Sequence, residues 1–253
     1  RFSEDIALAI VRASNQTQDE CDGLIHLVEA AIAISPLAKH ESLGFTSKNK
    51  KFMQSHWDYP RRSLGLHDPV KDKIMLEITS SANTTPNDRM KISSLIGEFL
   101  SKTKQKSLIE EFELAAFEIQ VLSHRRTFAE KVVAVTNACF ADQDLTRMKE
   151  KIRHLYDLTL LFRDPKIAKF VGTKAYLKMI DEARAGDKAI PDLAAHANTP
   201  WWSAAVFKSP RESLVLLKNT YDSQLGPLVF DKGKMPKMDE IEKMLRAVAK
   251  VYK

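Results

Sequence analysis

Two short segments early in the chain alternate between hydrophobic and polar or small residues. In residues 5–10, Ile6, Leu8 and Ile10 occupy every second position, and residues 73–79 follow the same two-residue period. Successive side chains of a β-strand point to opposite faces, so this period is typical of a strand with one face on a core. The pattern therefore predicts two strands, each with one carboxylate on the face opposite its hydrophobic side chains.

Most of the remaining chain has the period of an α-helix. The first predicted helix covers residues 19–34, with a hydrophobic face formed by Cys21, Leu24, Leu27, Val28 and Ala31. Thr127 and Glu130 have the spacing of a capping box, which would begin a second helix. Other helices are predicted over residues 91–113, 144–162, 165–186, from 210 onward and over 238–252. A short strand is predicted over residues 118–122, and strand pairs could form within the irregular residues 38–72.

Strands and helices are mixed up to about residue 125, and helical patterns follow from there to the end. This order predicts an α+β fold. We expect a mixed β-sheet in an N-terminal domain, residues 1–125, and an all-helical C-terminal domain, residues 126–253. A chain of 253 residues is long enough for one large domain or two smaller ones.

The composition is that of an ordinary globular protein, with 44% hydrophobic and 28% charged residues. The chain has no run of about 18 apolar residues, so we expect no membrane span. Its two cysteines, Cys21 and Cys139, lack the spacing of a zinc site and favour a reducing compartment. The net charge of +6 favours an acidic partner, with nucleic acid as the leading class.

Several basic and aromatic residues are candidate contacts for RNA. The lysine-rich segments 48–51 and 102–106, together with Arg125 and Arg126, could bind an RNA backbone, although most charge runs are solvated surface. Trp201 and its neighbour could stack on bases or meet a protein partner. A tryptophan that closes a helical core is the more common case.

Asp5 and Glu77 are the carboxylates on the polar faces of the two predicted strands. Acidic residues two apart on a strand, about 6.5 to 7 Å between Cα atoms, can together hold a pair of Mg²⁺ ions. Asp5 has only Ala7 at that second position. Asp5 could instead be a strand-edge charge. Glu77 is unexpected if its face is buried, and an open sheet face is the alternative.

Three helical residues could serve a nucleotide. Lys131 falls in the first turn of the helix predicted from Thr127, where its charge opposes the helix dipole, and such a local conflict can mark a functional residue. As a point charge, Lys131 suits nucleotide phosphates. Arg153 and Asp157 lie four residues apart on one helix face, which also fits a surface ion pair that contributes about 0.3 to 0.5 kcal/mol.

Three blocks of the sequence resemble the AbiEii/AbiGii-type nucleotidyltransferase toxin family of bacterial abortive-infection and toxin–antitoxin systems. The family strand reads Arg-x-Ser-x-Asp-hydrophobic-Asp-Leu, which is matched here by Arg1, Ser3, Asp5, Ile6 and Leu8. Residues 127–132 resemble the family's Glu-Lys helix start, and residues 153–158 resemble its Arg-x-x-x-Asp-Leu helix. The blocks occur in family order and span about two thirds of the chain.

The resemblance implies a nucleotidyltransferase-like sheet and assigns roles to particular residues. It implies that Asp5, the aspartate expected in place of Ala7, and Glu77 bind the metal, and that Ser3, Lys131, Arg153 and Asp157 bind the nucleotide. The implied catalytic positions are Asp5, position 7 (here Ala7), Lys131 and Asp157. The implied reaction is the Mg²⁺-dependent transfer of a nucleotide from an NTP to RNA, above all to a tRNA 3′ end. The protein would be a cytoplasmic toxin of phage defence with a cognate antitoxin.

Two departures from the family pattern bear on activity. The sequence begins without methionine and without the family's Gly-Gly/Ser nucleotide-binding segment, so we expect it to be a fragment. Ala7 replaces a metal-binding aspartate, which predicts an engineered inactive variant, with natural loss of activity as the alternative. Two other functions stay open: a catalytically dead nucleotide- or RNA-binding module, and nucleotidyl transfer to a protein.

Overall fold

The computed structural model describes residues 5–33, 38–47, 50–59, 73–142, 144–185, 191–229 and 231–250. These residues form an α+β fold, with strands in the first half and helices from residue 124 onward, so the predicted fold class is confirmed. The predicted domain boundary at residue 125 stays a prediction. None of the described helices is long and apolar enough to span a bilayer.

Four strands form the main sheet: β1 (Asp5–Ala9), β2 (Ala38–Thr46), β3 (Phe52–Asp58) and β4 (Lys73–Thr79). Their order across the sheet is β1-β4-β3-β2. β1 runs parallel to β4, whereas β3 is antiparallel to both of its neighbours. The two strands predicted from their two-residue period, β1 and β4, are therefore adjacent, and two further strands form within the segment that looked irregular.

Helix α1 (Gln18–Ile32) covers one face of this sheet. Thr17 and Glu20 form the capping box that begins the helix. A small core lies between helix and sheet, and its buried members are Ile25, Met53, Trp57, Leu76 and Ile78.

The predicted hydrophobic face of α1 is partly wrong. Leu27 is 64% exposed, whereas Ile25 is 1% exposed and packs on the sheet. Ile25, Val28 and Ile32 form the stripe that packs on the sheet, and Cys21 is also buried. Both sets of residues have helical spacing. The sequence alone does not show which side of the helix faces the sheet, so periodicity cannot choose between them.

A separate segment, here called the arm, covers residues 87–122. It consists of β5 (Asn87–Ile92), α2 (Leu95–Lys102), α3 (Lys106–Glu111) and β6 (Phe117–Leu122), and β5 pairs with β6 as an antiparallel ribbon. The predicted strand over 118–122 is confirmed. The single helix predicted over 91–113 is wrong, because the Ser94 side chain caps a new helix start after β5 and a turn separates α2 from α3.

The second half of the chain is a cluster of helices. They are α4 (His124–Phe140), α5 (Thr146–Glu150), α6 (Arg153–Phe162), α7 (Pro165–Phe170), α8 (Lys174–Arg184), α9 (Pro191–Ala194), α10 (Ala205–Lys208), α11 (Pro210–Leu225) and α12 (Met238–Lys250). Short 3₁₀ turns cover Trp201–Ser203 and Lys232–Lys234. The apolar side chains of these helices form the larger of the two cores, with Phe128, Leu155, Tyr176 and Leu217 among its buried members.

Three predicted helix boundaries differ from the observed ones. Helix α4 begins three residues before Thr127, because the Ser123 hydroxyl accepts a hydrogen bond from the Arg126 N–H and acts as its cap. The helix predicted over 144–162 is interrupted between α5 and α6. The helix predicted over 165–186 is divided into α7 and α8 at Gly172, whose φ of 87° lies in the left-handed region.

Candidate functional site

The strand register places both predicted acidic positions on one face of the sheet. Ala7 is paired directly with Glu77, and Asp5 with Met75, across the parallel β1–β4 ladder. Paired residues of neighbouring strands point to the same side, so Asp5, Ala7 and Glu77 share a face. This face is opposite the one covered by α1, because Leu76 and Ile78 belong to the small core. Glu77 is half-buried and Ala7 is exposed there.

Helix α6 reaches this face of the sheet with its first residue. The Arg153 guanidinium lies 3.4 Å from the Asp5 carboxylate, and the two side chains are 27% and 26% exposed. Arg153 and Asp5 are separated by most of the chain, so this ion pair joins the strand region to the helical region. The predicted nucleotide residue and the predicted metal ligand are therefore in direct contact.

One turn further along α6, Asp157 meets Lys131 of α4. The Lys131 ammonium donates a hydrogen bond of 2.9 Å to the Asp157 carboxylate and lies 3.4 Å from Nδ1 of His154. Lys131 and Asp157 are 23% and 18% exposed. The structure therefore brings together four of the residues predicted from the sequence: Asp5, Lys131, Arg153 and Asp157.

The reason given for Lys131 from the sequence is wrong, although its position is informative. Helix α4 begins at His124, about two turns before Lys131, so the ammonium is not in the first turn and does not oppose the helix dipole. Likewise, Glu130 caps nothing and instead accepts a hydrogen bond from Arg126.

A cavity of about 410 Å³ adjoins the Lys131–Asp157 pair. It is lined by His124, Thr127, Lys131, Asp157, Leu160, Leu161 and Asp164. Its volume lies within the range of about 300 to 1,000 Å³ that is usual for small-ligand pockets. Its lining combines a lysine, a histidine, two aspartates, a hydroxyl and two leucines, so it offers both charged and apolar contacts to a small ligand.

The sequence analysis gave no functional role to three residues of this region: His124, His154 and Asp164. His154 is three residues before Asp157 on the same helix, and that spacing could have identified it as a neighbour of Lys131. His124 is the first residue of α4, whose start the sequence placed at Thr127, and the Asp164 side chain caps the start of α7, so nothing in the pattern linked either residue to the cavity.

The donors for a divalent cation are of the right chemical type but incomplete. Mg²⁺ prefers carboxylate oxygens, which Asp5 and Glu77 offer on one sheet face. Ala7 stands between them in the pattern and offers none. Across the described ranges, no group of three or more His, Cys, Asp or Glu side chains could hold a metal ion. The residues present therefore do not form a metal site by themselves, and an aspartate at position 7 would add a third carboxylate to the same face.

Two of the residues considered for RNA contacts have structural roles instead. The Arg126 side chain is 3% exposed and is held by Glu130 at 2.8 Å and Glu182 at 2.9 Å, so it is not accessible to a phosphate backbone. Trp201 is 3% exposed within the helical core, where it packs edge-on against Phe207. The Arg125 guanidinium lies 5.2 Å from the centre of the Phe170 ring.

A comparison with known protein families identifies one that matches this chain. The family model described as "Nucleotidyl transferase AbiEii toxin, Type IV TA system" matches residues 1–241 of the 253-residue chain. No curated protein and no solved structure matches the chain. The match includes the strand β1 and the helices α4 and α6, which carry the residues gathered around Asp5 and Lys131. Ser3, one of the predicted nucleotide residues, lies outside the described ranges.

Proposed function

Because this chain belongs to the AbiEii family of nucleotidyltransferase toxins from type IV toxin–antitoxin systems, we propose that its active form transfers a nucleotide from an NTP to RNA. The acceptor would be the 3′ end of a tRNA. The observation that supports this proposal best is the gathering of residues from three separate elements. Asp5 of β1 contacts Arg153, and Asp157 of the same helix contacts Lys131 of α4.

In the proposed reaction, the terminal hydroxyl of the RNA attacks the α-phosphorus of the NTP. The bond from the α-phosphorus to its bridging oxygen breaks, pyrophosphate leaves, and the hydroxyl proton is released. Mg²⁺, when bound by Asp5, Glu77 and an aspartate at position 7, would polarise the α-phosphate and lower the hydroxyl pKa.

The residues of the helical region would bind and orient the nucleotide. Lys131 and Arg153 carry positive charge at neighbouring points along α4 and α6, where they would neutralise the phosphates. Asp157 holds Lys131 in place and would position the nucleotide or the reacting hydroxyl. The cavity beyond this pair, with Leu160 and Leu161 in its wall, would receive the sugar and base.

This sequence carries Ala7, and we propose that it is inactive for that reason. The alanine lies beside Glu77 in the ladder and two residues from Asp5, so an aspartate at this position would share a sheet face with both carboxylates. Metal binding and turnover would be lost, whereas the contacts of Lys131 and Arg153 with a nucleotide would partly survive, because neither depends on position 7.

The test restores the missing carboxylate. The Ala7→Asp variant of the full-length protein is incubated with Mg²⁺, total tRNA and each α-labelled NTP in turn, and labelled RNA is detected by gel. We expect transfer by Ala7→Asp and none by the protein with alanine. The matched control is Ala9→Asp, which adds a carboxylate to the same strand face beside Thr79 rather than Glu77.

The outcomes separate the remaining candidates. Label on protein instead of RNA would favour nucleotidyl transfer to a protein side chain. A natural gene that encodes alanine at position 7 would favour a catalytically dead nucleotide- or RNA-binding module. Absence of transfer to tRNA by Ala7→Asp with every NTP would contradict the proposal.

A further inference from the structure

Two side chains of different charge hold the ammonium of Lys131. The ammonium donates a hydrogen bond of 2.9 Å to the Asp157 carboxylate and lies 3.4 Å from Nδ1 of His154. Lys131 also lines the cavity of about 410 Å³ that would receive the nucleotide. His154, which is half-buried, is therefore a second direct contact of the lysine that would neutralise the phosphates.

The chemistry of the two side chains determines which of them donates. A lysine ammonium has three N–H donors and no acceptor, so the imidazole must accept from Lys131. A ring nitrogen accepts only when it carries no proton, which places the proton of His154 on Nε2. An imidazolium would instead direct an N–H and a second positive charge at the ammonium. The contact at Nδ1 therefore requires a neutral His154.

The position of His154 in the helix also favours the neutral imidazole. His154 is the second residue of α6, directly after Arg153. The N-terminal end of a helix carries a partial positive charge, and both this charge and the adjacent guanidinium oppose a further positive charge on the ring. The Asp157 carboxylate would favour a charged ring, but it is already paired with Lys131. Helix and hydrogen bond thus agree on the same form of His154.

A neutral acceptor can hold an ammonium without cancelling its charge. Asp157 fixes Lys131 but also offsets its attraction for a phosphate, whereas His154 adds a second contact and no negative charge. Within the described ranges these two contacts engage two of the three N–H donors, which leaves one for a ligand. We propose that His154 is a positioning residue, whose Nδ1 holds the Lys131 ammonium so that its remaining N–H meets a phosphate of the NTP. This role rests on the proposed function.

Three replacements of His154 test the proposal, with each NTP in turn titrated into the full chain by calorimetry. His154→Leu should weaken binding about tenfold, at the lower end of what one hydrogen bond to a charged group contributes. His154→Asn should restore most of the affinity, because its Oδ1 is bonded to Cγ as Nδ1 is and can accept from Lys131. His154→Gln carries its oxygen one bond further out and should not. Histidine and asparagine have similar helix propensities, and urea denaturation confirms that each variant is folded.

A double variant shows whether His154 acts through Lys131. In the Lys131→Met background, His154→Leu should leave the remaining NTP affinity unchanged, because the ammonium that His154 positions is then absent. A histidine that only supported the packing of α6 on α4 would lower the affinity by the same factor in both backgrounds. Equal effects of His154→Leu with and without Lys131 would therefore overturn the proposal.

Nuclear magnetic resonance examines the contact without any nucleotide. Proton–nitrogen correlation spectra of the imidazole rings, recorded at about pH 8, where an ordinary histidine is neutral, show which ring nitrogen carries the proton. The signals of His154 are identified by their absence from His154→Asn. We expect the proton on Nε2, and a shift of the Nδ1 signal in Lys131→Met, because the hydrogen-bond donor is then removed.

The positioning role and the proposed function can fail separately. A chain that binds no NTP would contradict the proposed function and with it the role of His154 in nucleotide binding, while the spectra would still show whether Nδ1 holds Lys131. A proton on Nδ1, or a signal that Lys131→Met leaves unchanged, would overturn the contact itself. In a chain that does bind NTP, undiminished affinity of His154→Leu would overturn the positioning role.

Discussion

Replacing Arg126 by methionine should destabilise the helical half of the chain by a measurable amount. The guanidinium is 3% exposed and donates to two carboxylates, at 2.8 Å to Glu130 and 2.9 Å to Glu182. Hydrogen bonds to charged groups contribute about 1.5 to 3 kcal/mol each. Both glutamates are 39% exposed, so water can solvate them again after the change, and the lower end of the range applies. We therefore expect a loss of about 3 kcal/mol.

Urea denaturation, followed by circular dichroism, measures this loss directly. The midpoint should fall while the slope of unfolding free energy against urea stays constant, because the exposed surface is unchanged. In a thermal scan, about 3 kcal/mol corresponds to a decrease of roughly 6 to 12 °C for a protein of this size.

The matched control is Arg125→Met, one residue earlier on the same helix. The Arg125 guanidinium lies over the Phe170 ring at 5.2 Å, a contact that contributes about 0.5 to 1 kcal/mol at an exposed site. The prediction is therefore a threefold or larger difference between two neighbouring arginines. If Arg126→Met and Arg125→Met lower the unfolding free energy equally, the ion pairs of Arg126 with Glu130 and Glu182 do not stabilise the fold.

Three further outcomes follow from single contacts. Hydrogen bonds from Arg163 lower the pKa of Glu240 from 4.5, so the ion pair stabilises the fold above pH 4.5. In urea titrations, the difference in unfolding free energy between wild type and Glu240→Gln should therefore shrink as the pH falls below 4.5. Burial raises the pKa of the Cys139 thiol to about 11, so alkylation at pH 8 should require unfolding, as followed by mass spectrometry. Lys131→Met should weaken NTP binding about 10- to 100-fold by calorimetry while changing stability little, since its ion pair is partly exposed.

Local sequence patterns predicted individual strands and helices better than they predicted which elements pack together. The two-residue period located β1 and β4, because alternation is a property of the strand itself. Their parallel pairing, which brings Ala7 beside Glu77, depends on the chain between them and could not be read from either segment. The capping signal at Thr127 failed for a related reason. Ser123 offers the same chemistry earlier, and the end of β6 at Leu122 favours the earlier start.

The candidate site was predicted only in part, because sequence motifs identify single residues and not the neighbours that pack against them. Family motifs identified Asp5, Lys131, Arg153 and Asp157 one by one, and the structure gives the two ion pairs that connect them. The neighbours supplied by no motif were missed. His154 touches Lys131 only because α4 and α6 pack side by side, and Arg126 looked like a surface cation because its glutamate partner on α8 is distant in sequence.

The strand register at Ala7 also predicts that Mg²⁺ binding and folding stability are linked, and this linkage can be measured without an activity assay. An aspartate at position 7 would lie one strand spacing, about 4.8 Å, from Glu77 and two residues from Asp5. Three carboxylates on one face repel one another, and like charges on adjacent strands cost up to about 1 kcal/mol. In EDTA, Ala7→Asp should therefore unfold at a slightly lower temperature than the protein with alanine.

Mg²⁺ should reverse this order, because a ligand that binds only the folded state stabilises it by about 2.7 kcal/mol at a concentration one hundred times its dissociation constant. The melting temperature of Ala7→Asp should then rise by roughly 5 to 10 °C, and that of the alanine protein by much less. Ala9→Asp adds the same charge beside Thr79 and separates metal binding from general screening of charge. Equal responses of all three proteins to Mg²⁺ would mean that position 7 does not complete a metal site, whatever the outcome of the transfer assay.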